Sequence, residues 1–212
     1  GDDTALFGAY FAVAETYETR NQLELALRHY RSMRDAAERA GFQDGVAQAL
    51  SKMANISAAL GRDADIPPLL DAAMPLADGA TRADLLALRA ILAMRRQRDF
   101  AAAERDLRSL SEFLITWPDE FHRLYLQMAL IELRLFQDRT DEALVIADEL
   151  SQLAKSFSPR ERLSAGYWQV AALRKAGQME KAKAVLEEVS RSAEAEEASA
   201  TLDAPLLSGA AT

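Results

Sequence analysis

Residues 9–33 read AYFAVAETYETRNQLELALRHYRSM, and they set Tyr10, Val13, Ala14 and Tyr17 three and four places apart, the interval that lines one face of an α-helix. Ala26, Tyr30 and Met33 then line one face of a second helix. The stretch therefore predicts two helices folded against each other. Ala26 falls where the second crosses closest to the first, and a larger side chain there would force the pair apart.

The same small or apolar place recurs at Ile66, Ala103, Ala143 and Ala182, at steps of 40, 37, 40 and 39 residues. Self-similarity at such a period signals stacked helix pairs, whose main product is surface. The aromatic at Tyr10, the Val13-Ala14 pair, Tyr17, and then Ala26, Tyr30 and Met33 resemble the tetratricopeptide repeat (TPR) pattern, in its longer, regulator-type form. The resemblance implies an all-α, right-handed α-α superhelix of about five helix-turn-helix repeats. In each, helix A lines a concave groove and helix B forms the back.

The repeats are expected at 4–41, 43–78, 80–117, 119–157 and 159–198 in one continuous solenoid, followed by a flexible tail or linker at 201–212. Leu202, Leu206 and Leu207 in that tail could alternatively cap the last pair. Pro67 and Pro68 suit a first helical turn and start the second helix B near Asp65, while Pro75 shortens it. Trp117-Pro118 stops the third repeat, and Gly177 marks the turn of the fifth.

Composition agrees. Half of the residues are apolar but only 7% are aromatic, which suits closely packed helices better than a sheet. The chain has no cysteine, which excludes disulfides, thiolate catalysis and cysteine-ligated zinc. No apolar run is long enough to cross a bilayer, so no membrane partner is expected and the default location is cytoplasmic. A net charge of −8 disfavours nucleic acid. The acidity is uneven: residues 1–78 carry 7 basic and 12 acidic groups, whereas residues 79–117 carry 7 and 5.

Candidate binding residues follow from the resemblance, on the faces of helix A turned away from helix B. They are Phe11 and Glu15 in the first repeat, Lys52 and Asn55 in the second, Leu88, Arg89, Arg95 and Arg96 in the third, Gln127 and Arg134 in the fourth, and Tyr167 and Trp168 in the fifth. Arg95, Arg96, Arg134, Arg174 and Lys175 recur near helix-A ends and could form a basic rim for an acidic peptide. Equally, they could simply oppose the negative helix end. Asn55 and Arg89 match a chaperone-type carboxylate clamp, but Phe11, Glu15 and Leu85 stand where its other members belong, so that ligand is not expected. Trp168 reads as a groove anchor or as a packing residue.

Nothing marks an enzyme. His29 and His122 belong to no metal pattern, and no phosphate loop or nucleophile elbow is present, so neither catalysis nor a metal or other cofactor is expected. The leading expectation is a scaffold binding a peptide or protein segment in its groove. The alternative is a sensor or regulatory region of a larger signalling or transcription regulator that binds a peptide or small ligand. Self-association is left open.

Overall fold

Periodic apolar faces, Ala- and Leu-rich helices and well-placed breakers produce an all-helical chain. The computed structural model describes the backbone from Asp2 to Asp203 and the side chains from Asp2 to Arg191. Ten α-helices and no strand occur among the described residues: α1 (Asp2–Thr19), α2 (Leu23–Ala40), α3 (Gln43–Ala59), α4 (Ile66–Ala73), α5 (Gly79–Leu92), α6 (Phe100–Thr116), α7 (Glu120–Phe136), α8 (Thr140–Leu153), α9 (Pro159–Lys175) and α10 (Met179–Asp203). They pair in order as five helix A/helix B hairpins. Of the expected tail, residues 204–212 and the side chains of Leu202, Leu206 and Leu207 lie outside the described residues.

The hairpins are built on one local device. A single residue in the left-handed region turns each helix A into its helix B: Asn21, Gly61, Arg98, Asp138 and Gly177. These stand at steps of 40, 37, 40 and 39, and in every hairpin the crossing residue follows five places later. Ala26, Ala103 and Ala143 are fully buried there, with Ile66 and Ala182 6% and 3% exposed. The small side chain lets the two backbones approach, and the left-handed residue sets where that approach occurs.

Breakers act as the sequence predicts. A short 3-10 turn (Asp63–Asp65) leads into α4, Pro67 and Pro68 sit in its first turn, and it ends after eight residues, before Pro75. Such a turn has no intrahelical acceptor for the N–H groups that proline lacks. α6 ends at Thr116, immediately before Trp117-Pro118. Side-chain caps begin other helices: Asp99 accepts from the Ala102 N–H at 2.9 Å and Asp119 from the His122 N–H at 2.8 Å.

The chain forms two compact units, Gly1–Pro118 and Asp119–Thr212. In the first, Leu27, Tyr30 and Met33 of α2 share a core with Ala49 and Met53 of α3 and with Leu85, Leu88 and Leu92 of α5. Asp44 at the start of α3 fixes α5 upon it, accepting from the Asp78 N–H at 3.0 Å and the Thr81 hydroxyl at 3.1 Å. In the second, Leu124, Met128 and Ile131 of α7 pack with Ala147 and Leu150 of α8 and with Ala165 and Ala172 of α9.

Candidate functional site

In the first unit, α1 and α3 bring Phe11, Glu15 and Lys52 together. The Lys52 ammonium lies 3.1 Å from Glu15 Oε1 and 5.5 Å from the centre of the Phe11 ring. Asn55, one turn further along α3, is exposed. The four thus form a polar strip with one aromatic floor on neighbouring A helices. An ammonium shared between a carboxylate and a ring face is loosely held, because both partners are partly solvated.

The third hairpin distributes its candidates differently. Leu88 is 8% exposed and belongs to the core rather than to an open wall. Arg82, Arg89 and Arg96 stand seven residues apart and turn toward other elements: Arg82 covers the Phe113 ring of α6, Arg89 chelates Asp106 of α6, and Arg96 Nη1 lies 2.8 Å from Asp63 Oδ1 before α4. Asp106 is buried, and its hydrogen bond holds the Arg89 guanidinium even more firmly protonated than usual. Arg95 is exposed within a π turn, Ala93–Gln97, that widens the end of α5 before Arg98.

Several of the expected rim cations are therefore already engaged, in a recurring arrangement. A cation at the end of one helix A reaches a carboxylate in the preceding A–B connection in two cases, Arg96 to Asp63 and Lys175 to Asp138 at 2.6 Å, and Arg62, just beyond α3, reaches Glu24 in the first turn of α2. Lys175 holds the Asp138 carboxyl below its ordinary range. Arg134 instead pairs within its own hairpin, with Glu142 at 3.1 Å. Sequence reading found Arg96 and Lys175 and missed their partners; the visible signal was Asp63 and Asp138 in the preceding connections.

In the second unit, Gln127 is half-buried, and its Oε1 is enclosed without a hydrogen-bond partner among the described residues. Tyr167 is 66% exposed, whereas Trp168, in edge-to-face contact with it at 5.3 Å, packs onto the core. Phe121 and Tyr125 form a second exposed aromatic pair, at 4.7 Å, that the sequence reading did not single out. A cleft of about 290 Å³ lies between α8, α9 and α10, with Gly166 and Val189 in its floor and Lys155, Arg162 and Glu188 among its polar lining. Among the described residues, no group of three or more His, Asp or Glu side chains gathers as metal ligands, and no helix is long and apolar enough to cross a membrane.

This arrangement is a TPR-like repeat fold, and solved structures share it. One is a single-substitution variant of a kinesin light chain-like protein of nearly identical TPR-like repeats from Podosopora anserina, with a TM-score of 0.69 at 16% identity over 93% of this chain and 98% of that one. The unsubstituted form of that protein gives 0.65 at 16% identity over 89% and 95%. BtubC (BKLC) from P. vanneervenii gives 0.66 at 14% identity, over 93% of each chain. No family model matches the sequence, and no curated protein does. The fold is thus the shared property.

Proposed function

We propose that this chain is a non-catalytic scaffold that holds an extended segment of another protein along the A helices of its first unit. The observation that carries this reading is the strip of Phe11, Glu15, Lys52 and Asn55, which offers an aromatic floor, a loosely paired ammonium and an exposed amide. Such a set recognises an apolar or aromatic side chain next to a backbone carbonyl or carboxylate. An acidic segment meets Lys52 there in competition with Glu15, while Arg89, Arg96, Arg134 and Lys175 likewise pair with the chain's own carboxylates. The partner's acidity is therefore a local feature near Lys52, not a match to a long basic rim.

Partner capture from the native cells, repeated with Lys52→Glu and Asn55→Ala, tests this. Both variants should lose the same captured protein, while circular dichroism stays unchanged. Retention of every captured protein by both would refute it.

The cleft beside Gly166 favours a second reading, a sensing region that takes a small ligand, since its volume approaches the lower end for such sites. A ligand shift of Trp168 fluorescence that survives Lys52→Glu would select that reading.

A further inference from the structure

Among the described residues, the chain's first and last hairpins expose the positions equivalent to the two halves of a junction that is assembled between the first and second hairpins. Where α3 packs on the first hairpin, its contributing face is Gly45, Ala49, Met53 and Ile56, all buried. The 40-residue step carries these onto Ala5, Ala9, Val13 and Thr16 of α1, all exposed, with Val13 at 39%. The receiving side of the assembled junction includes Phe7, Phe11, Leu23 and Tyr30; Tyr30 is fully buried, and the others pack against the same core. The step of 156 residues from Ala26 to Ala182 carries those four onto Leu163, Tyr167, Met179 and Leu186. These are 47%, 66%, 47% and 54% exposed, in a chain that buries most side chains of their size.

The acidic member of one ion pair follows the same correspondence. Arg62, just beyond α3, pairs with Glu24 in the first turn of α2. Glu24 maps onto Glu180 in the first turn of α10, whose present partner is the exposed Lys183 at 2.9 Å. The 40-residue step carries Arg62 onto Gln22, so the cation itself is not repeated; the basic group at that end of α1 is the exposed Arg20, two residues earlier.

We infer that the outer face of α1 in one copy docks on the α9–α10 face of a second copy, continuing the repeat stack from chain to chain. Small residues on α1 admit the large ones of α9 and α10. The interface is heterologous, so copies add head to tail, and the rotation between them decides whether the assembly is a ring or an open chain.

The test uses sedimentation velocity of the full chain over a range of micromolar concentrations. The parent should show a mass that rises with concentration. Ala9→Glu blocks only the α1 face and Leu186→Glu only the receiving face, so each alone should stay monomeric. An equimolar mixture should yield a species of twice the monomer mass and nothing larger, because one intact face remains on each variant. Both substitutions lie at exposed positions, and circular dichroism verifies that each variant is folded; Ala5→Arg and Tyr167→Asp provide an independent second pair. A parent that stays monomeric throughout, variants that associate as the parent does, or a mixture that remains monomeric would each overturn the inference. So would a monomeric parent whose 1–203 truncation associates, since that assigns the receiving face to the chain's own last residues. Partner capture through Lys52 is read separately and is unaffected by either substitution.

Discussion

The guanidinium of Arg96 reaches back across a repeat boundary to Asp63, with Nη1 2.8 Å from Oδ1. Both groups are well exposed, at 39% and 58% of the side chain, so the pair gains little over hydration. A double-mutant cycle on Arg96→Ala and Asp63→Ala, read by urea unfolding, should give a coupling of about 0.2–1 kcal/mol that largely vanishes in ~1 M salt. Arg89→Ala behaves differently, because it leaves the buried Asp106 carboxylate without its chelating partner. Its expected cost is about 1–3 kcal/mol, with weak salt dependence. Equal losses for the two arginines would contradict this distinction.

Gly166 meets α10 at a tight crossing, where an added Cβ would stand 2.6 Å from Val189 Cγ2. Gly166→Ala should therefore cost about 1–3 kcal/mol through overpacking. Adding Val189→Ala should recover part of that loss, although the same truncation alone is destabilising. Thermal melts of the two single variants and the double variant decide the matter; strictly additive losses would rule out the steric explanation.

Gly61 sits at φ 73°, and a Cβ added there would meet nothing within 4 Å, so Gly61→Ala isolates the backbone effect. A left-handed alanine costs roughly 1–2 kcal/mol, which a lowered melting temperature would report. Asn21→Gly in the first hairpin should change stability by much less, since asparagine tolerates the left-handed region.

These turns explain what could be read from sequence and what could not. Ala26, Ala103, Ala143 and Ala182 were legible because a small residue recurring at a fixed step has one good explanation, a close helix crossing. Gly177 was visible as a turn residue; Arg98 and Asp138 hold the same conformation without advertising it. The candidate site was less legible. Lys52 and Glu15 meet as a face-by-face reading implies, but Leu88 and Arg89 were assigned to the groove although one enters the core and the other turns to Asp106. Helical periodicity fixes which residues share a face. It does not fix which neighbour that face meets, and in α5 the contacts with α3, α4 and α6 compete for nearly the whole circumference.

Acid should weaken the start of α7 in a predictable way. The Asp119 carboxyl is held below its ordinary range, chiefly by the His122 backbone N–H and also by the His122 ring nitrogen 2.7 Å away. A depressed folded value means that this stabilisation is complete above the unfolded carboxylate value of about 3.9 and is lost as pH falls through the lower folded value. Asp119→Ala should cost about 1 kcal/mol at neutral pH, the usual worth of such a cap. The gap between parent and variant melting temperatures should close on acidification below the ordinary carboxylate range; a gap that stays constant down to that range and beyond would exclude the linkage.

Alanine at four of the five hairpin crossings has a mechanical meaning. A methyl group has no rotamers to exchange, so helix A and helix B cannot slide by repacking at that point. Each of those hairpins is fixed at its crossing by a contact that cannot repack. The second hairpin is the exception: Ile66 and the eight-residue α4 replace a locked crossing with a side chain that can change its torsions. Compliance in the first unit is therefore concentrated behind Lys52 and Asn55, on the repeat that contributes half of the proposed binding strip.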